Sequence, residues 1–379
     1  VQFGEEGAGT FSDGKLNTLV KDSSGRNREV LKRFTEAGAD PEILYQQKPH
    51  LGTDVLVNIV QTMRRQIEEM GGTFRFRSKV TDLYTEKGIL RAVEVNHSEQ
   101  VPAQVCVLAV GHSARDTFFM LKDRGLAMEP KAFAVGLRIE HPQSMINQDL
   151  YGEPENKILG SASYKVTHTC ESGRGVYSFC MCPGGYVVNA SSEQGLLAVN
   201  GMSYQARDGE NANSALIVTV TPEDFPEEGA LGGIAFQRDL EKKAWELGKG
   251  KVPVQLFGDF CAHQPSSQLG EIHPNIKGGY VLTDVRSILP KELGDSIEEG
   301  IFAFGKKLSG FDRKDAVLSG IESRTSSPVR LVRDQKGLSN ITGIYPCGEG
   351  AGYAGGITSA AMDGIKTAEW IASEYMMKL

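Results

Sequence analysis

The chain has 379 residues, of which 40% are hydrophobic and 23% are charged, and its formal net charge at pH 7 is −7. This composition is that of a soluble globular protein of about two domains. The acidic balance and the lack of a long basic stretch argue against nucleic acid as a partner. The lack of an apolar run of about 18 residues argues against a membrane span.

Cysteine and histidine spacing gives no sign of a metal site. None of the six cysteines forms a C-x-x-C pair, and no group of cysteines and histidines has zinc-ribbon spacing. The start of the chain shows no signal-peptide pattern. The sequence therefore predicts a reduced, cytoplasmic protein without a metal site.

The first part of the chain is predicted to combine a glycine-rich segment with helices and strands. Residues 1–16 are dense in Gly and small polar residues, a pattern typical either of backbone that approaches a ligand or of a flexible surface loop. Apolar residues at helical spacing predict a helix over 53–70. A strand, an antiparallel meander, a return strand and a helix are predicted next, over 73–78, 80–85, 89–95, 104–110 and 114–121.

The return strand carries the run VCVLAV, which is continuously apolar. Such a run predicts a strand buried on both faces of a parallel sheet. It leads into Gly111-His112-Ser113, and ligands of α/β proteins collect at the carboxyl ends of such strands.

The pattern changes to a largely β region from about residue 131 to residue 312, with helices predicted over 231–247 and 295–308. The chain then returns to a short strand and a long amphipathic helix, over 341–346 and 357–376. We therefore predict one domain split in sequence by an inserted domain, with boundaries at 1–126, 127–325 and 326–379.

The segment from Gly350 to Gly355 matches G-x-G-x-x-G, between the last strand and the last helix. Fewer than thirty residues follow it, which leaves no room for the second strand of a dinucleotide-binding unit. A different use fits better. The glycines let the backbone lie flat against a bulky ligand, the helix start near Gly356 directs free N–H groups at it, and Glu349 accepts hydrogen bonds from its hydroxyls. The alternative is a glycine-rich turn that serves close packing alone.

The C-terminal segment YPCGEGAGYAGGITSAAMDGI resembles the closing motif of glutathione-reductase-like flavoproteins. The strand-meander-strand that ends in AVGHSA resembles the second half of their FAD domain. The segments FGEEGAGTFSDGKL and KPHLGTD look like a narrower group, the bacterial NAD(P)/FAD-dependent dehydrogenases, many of unknown substrate. Members of that family carry a further strand and helix with the true G-x-G-x-x-G. The resemblance therefore identifies the chain as a fragment without that segment, expected to bind FAD weakly or not at all on its own.

The resemblance also implies contacts with the cofactor. Val80 would present its backbone to the adenine, Gly111 would pass beneath the adenosine, and Gly348 with Glu349 would meet the ribityl chain. Gly356 and Ile357 would offer N–H groups to the pyrimidine side of the flavin. The implied residues on the flavin side are Ser12, Asp13 and Lys15, and those on the substrate side are Lys48 and His50.

Two further groups of residues each admit two interpretations. Cys180 and Cys182 lie in a predicted strand whose alternation points both to one face. They form either a redox-active pair or a pair of small core side chains, and the strain of a C-x-C disulfide favours the second. An arginine group forms either an anion-binding site or a solvated charge run, of which the second is favoured. Its members are Arg324, Arg330 and Arg333.

The fold class predicted is α/β, with a partial FAD-binding Rossmann-like domain and an inserted mixed-β substrate domain. Its first domain would combine a parallel sheet with an antiparallel meander. The predicted function is that of an FAD-dependent oxidoreductase, a dehydrogenase that acts on a small molecule with NADH or NADPH as the candidate electron donor. No residue stands out as a catalytic acid or base. The alternatives are a flavoprotein of RNA modification and a non-catalytic binding or scaffolding module, and the sequence indicates neither the substrate nor the oligomeric state.

Overall fold

The computed structural model describes residues 14–18 and 20–376. Among the described residues, its first part, up to residue 126, contains three α-helices, a 3-10 helix (Pro41–Leu44) and an antiparallel meander that is followed by a short strand. These elements are α1 (Arg26–Glu36), α2 (Thr53–Glu69), β1 (Val80–Glu86), β2 (Ile89–Val95), β3 (Glu99–Pro102), β4 (Cys106–Leu108) and α3 (Arg115–Asp123).

The middle segment, residues 127–325, is rich in strands. Its elements are β5 (Met128–Pro130), β6 (Phe133–Pro142), α4 (Gln143–Tyr151), β7 (Thr167–Thr169), β8 (Gly175–Cys182), β9 (Tyr186–Asn189), β10 (Val199–Met202), β11 (Asn211–Val220), α5 (Gly232–Gly248), β12 (Val252–Leu256), α6 (Phe257–Cys261), β13 (Ile276–Lys277), β14 (Tyr280–Leu282), α7 (Lys291–Gly305) and β15 (Val317–Glu322). The described chain then adds β16 (Val329–Leu331), β17 (Ile344–Pro346) and α8 (Ile357–Met376).

A seven-stranded sheet forms the centre of the middle segment, in the order β14-β12-β15-β6-β11-β8-β7. All neighbours in it run antiparallel except β12 and β14. Along β6, Val135, Leu137 and Ile139 are fully buried in the main hydrophobic core, which also contains residues of α5 and α7. Because side chains alternate along a strand, Arg138 and Glu140 lie on the opposite face. That face is buried as well, since β10 of the small sheet β10-β9-β13 packs against it.

The remaining strands belong to the first and last parts of the chain. The strands β1, β2 and β3 form the predicted antiparallel meander, and β4 pairs in parallel with β17. The pair of β5 and β16 joins the borders of the middle segment. The prediction of an α/β fold with several sheets is therefore confirmed, whereas the Rossmann-like arrangement of the first domain stays a prediction.

Two predictions about strands in this region are wrong. Residues 73–78 form no strand, because none of the described strands pairs with their backbone, and Phe76 there is 55% exposed. An alternating apolar pattern forms a strand only where a partner satisfies its backbone groups. The return strand is shorter than predicted and is not buried on both faces, since Val107 of β4 is 43% exposed.

Five predicted helices match α2, α3, α5, α7 and α8 to within a few residues. The sequence did not reveal α1, α4 or the short helix α6. The buried residues of α1 are Val30 and Phe34, a stripe too narrow to stand out, and they pack in a small core that also holds Leu16 and Met362. None of the helices in the described ranges has the length and apolar character needed to cross a lipid bilayer.

Candidate functional site

The turns that follow β4 and β17 meet at one edge of the molecule. The two strands are parallel, so their carboxyl ends lie side by side. A Cβ placed on Gly350 would lie 2.7 Å from the backbone nitrogen of Gly111, and only glycine allows so close an approach. Gly111 itself has φ of 72°, and no described atom outside its neighbours lies within 4 Å of a Cβ built on it. The edge therefore combines tight backbone packing with open space above Gly111.

Glu349 and His112 form a pair on this edge. The Nδ1 atom of His112 lies 3.2 Å from Oε2 of Glu349, although the two groups lack hydrogen-bond alignment. Burial opposes ionisation of Glu349, but the nearby His112 and Lys131 outweigh it and hold the pKa of this carboxyl below its ordinary value. Burial and the neighbouring Arg330 lower the pKa of Lys131. His112 belongs to the turn at which the sequence already predicts ligands to collect, whereas no sequence pattern pointed to Lys131.

The turn between β17 and α8 is fixed by Asp363 and Arg333. The backbone N–H of Gly348 donates to Oδ2 of Asp363 at 2.8 Å. Arg333 binds both oxygens of Asp363, at 2.9 and 2.7 Å, and donates to the carbonyl of Pro346 at 2.8 Å. The guanidinium carbon also lies 3.7 Å from the ring centroid of Tyr353. Arg333 is thus a buried structural residue, which contradicts the predicted solvated charge run.

The start of α8 is open. Gly355 and Gly356 are both exposed, and no described atom outside the adjoining residues lies within 4 Å of a Cβ built on either. The N–H of Gly355 donates to Oγ of Ser359 at 3.3 Å, and Ile357 is half-buried. A flat group can therefore lie against this backbone, close to the positive end of the helix dipole.

A short antiparallel pairing brings Lys15 and His50 to the start of α8. Lys15 pairs with His50 in an isolated bridge, and the carbonyl of Leu16 accepts a hydrogen bond of 2.7 Å from Oγ1 of Thr358 in the first turn of α8. The ammonium group of Lys15 donates to the carbonyl of Met181 in β8. The middle segment therefore meets the first part of the chain beside α8.

The structure brings some of the predicted site residues together and not others. Gly111, Gly348 and Glu349 share one edge, and Lys15 and His50 lie near Gly356 and Ile357, as described above. Lys48 is exposed, and Val80 is 37% exposed at the first position of β1. Ser12 and Asp13 lie outside the described residues.

A buried arginine organises the polar face of the central sheet beneath this site. Arg138 donates to both oxygens of Glu322, at 2.7 and 3.1 Å. It also donates to Oδ1 of Asn200 at 2.8 Å and to the carbonyl of Cys180 at 2.8 Å. Burial disfavours the charged form of Arg138, but the attraction of the Glu322 carboxylate is stronger and raises the pKa of Arg138 above its ordinary value.

The strand β8 has a bulge at Cys180. Opposite it, β11 pairs Ala215 with Phe179 and Asn213 with Cys182, so that two residues of β8 face one residue of β11. The bulge breaks the alternation that was predicted to point both cysteines to one face. Cys182 is fully buried, as the prediction of a small core side chain requires, whereas Cys180 is partly exposed and does not fit it.

A second buried ion cluster joins the first part of the chain to the middle segment. Glu241 of α5 binds Arg115 of α3 at 2.7 and 2.9 Å and Arg324 at 2.8 and 2.7 Å. Burial opposes ionisation of Glu241, but the two arginines lower its pKa to about 2. Arg324 is therefore also buried in an ion cluster, so the predicted solvated charge run is wrong for this residue too, while Arg330 is exposed.

A third polar cluster lies between β7 and α7. Ligand-type atoms of His168, Cys170 and Glu299 lie within 4.8 Å of one another, a grouping that sequence spacing did not indicate. Existing hydrogen bonds account for it. His168 Nε2 lies 2.9 Å from Oε1 of Glu299, and Sγ of Cys170 donates to the carbonyl of Ser296 at 3.6 Å.

Comparison with known proteins identifies the class of protein. A family model described as "FAD-dependent protein, C-terminal domain-like" matches residues 132–325, about half of the chain. An uncharacterized protein of Clostridium beijerinckii (strain ATCC 51743 / NCIMB 8052) is 50% identical over 380 residues, which cover 99% of this chain and 71% of that protein. The chain belongs to this family of FAD-dependent proteins. The FAD-dependent part of the resemblance is thus confirmed, and the narrower glutathione-reductase-like assignment stays a prediction.

Several solved structures are more distantly similar. The FrdA chain of E. coli quinol fumarate reductase is 13% identical with a TM-score of 0.39, and the match covers 96% of this chain and 62% of that one. Glycine oxidase from Bacillus cereus ATCC 14579 is 9% identical with a TM-score of 0.31, over 86% of this chain and 57% of that one. The chain spans less than two thirds of these proteins, and such low similarity carries no functional assignment.

Proposed function

We propose that the protein is an FAD-dependent oxidoreductase of a small molecule, with the flavin bound along Gly111, Glu349 and the start of α8. The observation that carries this proposal is the open backbone at Gly355 and Gly356, beside a helix N-terminus. Membership of a family of FAD-dependent proteins supplies the identity of the cofactor.

The residues of the edge suit such a cofactor. Open space lies over Gly111, Gly355 and Gly356, where any side chain would fill the room for a flat ring or a sugar. The Nδ1 atom of His112 lies 3.2 Å from Oε2 of Glu349, so the two side chains form an ion pair at this edge when the imidazole is protonated. A ligand hydroxyl beside them would meet the carboxylate of this pair as a hydrogen-bond acceptor.

The chain supplies binding and electrostatics, and FAD, when bound, supplies hydride or electron transfer. Glu349 stays ionised, so it can accept hydrogen bonds from ligand hydroxyls. The free N–H groups at the start of α8 stabilise negative charge on a ring beside them. Lys15 adds a positive charge on the side of the middle segment.

We propose that the substrate binds near the junction of the middle segment and the 50–54 segment, which direct hydrogen bonds hold together. The N–H of Gly52 donates to Oε1 of Gln205 at 2.7 Å, and the N–H of Gln205 donates to Oδ1 of Asp54 at 3.1 Å. Pockets at such junctions are the usual place for small substrates. We propose NADH or NADPH as the electron donor, in keeping with the sequence prediction.

An FAD titration with a matched pair of variants tests the cofactor site. Gly356→Leu places a side chain in the open space, where its Cβ would have no described atom outside the adjoining residues within 4 Å, so FAD affinity is expected to fall at least about tenfold. Gly364→Leu is the control, because a Cβ on Gly364, further along α8, would also have no atom of another described element within 4 Å. The measurement is the flavin absorbance retained after desalting, together with a fluorescence titration.

Equal FAD binding by the wild type and Gly356→Leu would show that the cofactor does not lie at the start of α8. No FAD binding by the wild type would contradict the proposal for this chain and agree with the expectation of a fragment that binds FAD weakly or not at all. If FAD binds, anaerobic bleaching of the flavin band by NADH or NADPH identifies the donor, and no bleaching by either contradicts the proposed donor.

A further inference from the structure

The strand β7 and the helix α7 bring together three side chains of different chemistry. Thr167 and Thr169 of β7 are exposed, and the alternation of the strand turns His168 and the following Cys170 inward, towards α7. Glu299 of α7 meets them there, and one ligand-type atom of each residue lies within 4.8 Å of the other two. The fold thus gathers an imidazole, a thiol and a carboxylate that lie up to 131 positions apart in the chain.

The separations of these atoms suit a metal ion at their centre. Zn²⁺ binds sulfur at about 2.3 Å and nitrogen or carboxylate oxygen at about 2.0–2.2 Å, so tetrahedral angles place ligand atoms about 3.3–3.7 Å apart. The distance of 2.9 Å from Nε2 of His168 to Oε1 of Glu299 would lengthen on binding, and a separation near 4.8 Å would shorten by about 1 Å. Small rotations of the side chains supply changes of this size.

The hydrogen bonds that account for the grouping are also compatible with a metal. One proton lies between His168 and Glu299, and a metal ion binds the same lone pairs that a proton does. The thiol of Cys170 donates a long hydrogen bond of 3.6 Å to the carbonyl of Ser296, and a thiol is a weak donor. The N–H of Glu171 donates to both oxygens of Glu299, at 3.0 and 3.3 Å. Outer hydrogen bonds of this kind orient the ligands of metal sites.

Access and charge favour a divalent ion. The side chains of His168 and Glu299 are 29% and 36% exposed, so an ion can enter from solvent, while Cys170 is buried behind them. A thiolate and a carboxylate carry two negative charges, which balance those of a dication. Ca²⁺ and Mg²⁺ take oxygen ligands, whereas Zn²⁺ binds sulfur, nitrogen and oxygen together. The donor set therefore indicates zinc.

We propose that His168, Cys170 and Glu299 bind one Zn²⁺ ion, with water as the fourth ligand. On binding, the thiol of Cys170 releases its proton to water, and the neutral imidazole of His168 keeps its one proton on Nδ1, so that Nε2 is free to bind the metal. The ion ties the edge strand of the seven-stranded sheet to α7. The proposal concerns other elements than the cofactor site and does not rest on the oxidoreductase function.

The first test is a titration of the reduced, metal-free wild type with Co²⁺, which replaces Zn²⁺ and absorbs strongly when a thiolate binds it. One equivalent of Co²⁺ per chain is expected to produce this charge-transfer band. Zn²⁺ is expected to remove the band, because a tetrahedral site with a thiolate favours zinc. A wild type that shows no thiolate band would overturn the proposal.

Variants of the three residues locate the site. Cys170→Ser is expected to lose the band, and His168→Gln and Glu299→Gln to lower the affinity for Zn²⁺ at least about tenfold each, measured by competition with a coloured chelator. Cys261→Ser changes another partly exposed cysteine, and Glu292→Gln changes an exposed carboxylate of the same helix. Both controls should bind like the wild type. A band of full strength in Cys170→Ser contradicts the assigned ligands.

Thermal unfolding with and without Zn²⁺ separates loss of the metal from loss of the fold. Because a ligand of the folded state stabilises it, Zn²⁺ is expected to raise the Tm of the wild type and of both controls, and to leave that of Cys170→Ser unchanged. If Cys170→Ser does not fold, His168→Gln takes its place in the comparison. An equal rise of Tm in the wild type and the ligand variant would show that zinc binds elsewhere.

Discussion

The carboxyl group of Glu140 is fully buried on the polar face of β6. Its Oε2 atom accepts hydrogen bonds from Asn211 at 3.0 Å and from the N–H of Asn275 at 2.7 Å, while Oε1 has no partner among the described residues. Burial is the dominant effect and raises the pKa of Glu140 to about 7. The protonated form is therefore the one that the fold prefers.

This preference makes stability depend on pH. Because the folded pKa lies above the ordinary value of 4.5, the stabilising contribution is complete below about pH 4.5 and is lost as the pH rises to 7. Relative to Glu140→Gln, the wild type is expected to lose about 3 kcal/mol of unfolding free energy between pH 4.5 and pH 8. Urea denaturation at several pH values measures this difference, with exposed Glu129→Gln as the control. Parallel curves for the wild type and Glu140→Gln would contradict the prediction.

Among individual residues, the sequence revealed those that belong to a motif of adjacent residues. Gly350 and Glu349 stood out because a motif surrounds them. The environment of Glu140 depends instead on Asn211 and Asn275, which lie 71 and 135 residues away in the chain. No pattern of adjacent residues indicates contacts over such distances in the chain. A charged residue in a strand is therefore predicted to be exposed to solvent unless its neighbours in the fold are known.

At the level of elements, the turn from β17 to α8 contains two glycines, of which one leaves room for a side chain and the other does not. Gly350→Ala would push a methyl group into the backbone of Gly111, whereas Gly355→Ala meets open space. We expect Gly350→Ala to lower the free energy of unfolding by about 1–3 kcal/mol, as for other overpacked sites. Gly355→Ala should change it by less than about 0.5 kcal/mol. Thermal and urea unfolding of both variants decide this, and equal effects would show that the two turns do not pack as described.

The elements that periodicity predicted well are those whose pattern is local and long. The apolar stripes of α2 and α8 and the alternation of β1 and β2 are examples. The bulge in β8 was missed because it depends on register against β11, where Ser214 faces two residues. The wrong prediction of a strand at 73–78 has the same cause, since the residues of a segment do not show whether another strand pairs with it.

For the whole molecule, the cluster of Arg115, Glu241 and Arg324 is a buried polar link between the first part of the chain and the middle segment. Glu241→Gln leaves two buried arginines without their shared charge, and removal of one partner of such a cluster costs about 3–5 kcal/mol. Glu246→Gln on the same helix breaks an exposed pair with Lys242 and should cost less than about 1 kcal/mol. Calorimetry of the two variants measures the difference, and similar melting temperatures would contradict a structural role for Glu241.

The parallel pair of β4 and β17 also dictates an order of assembly. Leu108 pairs with Pro346, 238 positions further along the chain (346 − 108), while every strand of the seven-stranded sheet lies between Phe133 and Glu322. Pairings between distant residues form slowly because the intervening loop must first be closed. During synthesis on the ribosome, the central sheet can therefore form before β17 emerges, and the glycine-rich edge is completed last, on an already folded neighbour.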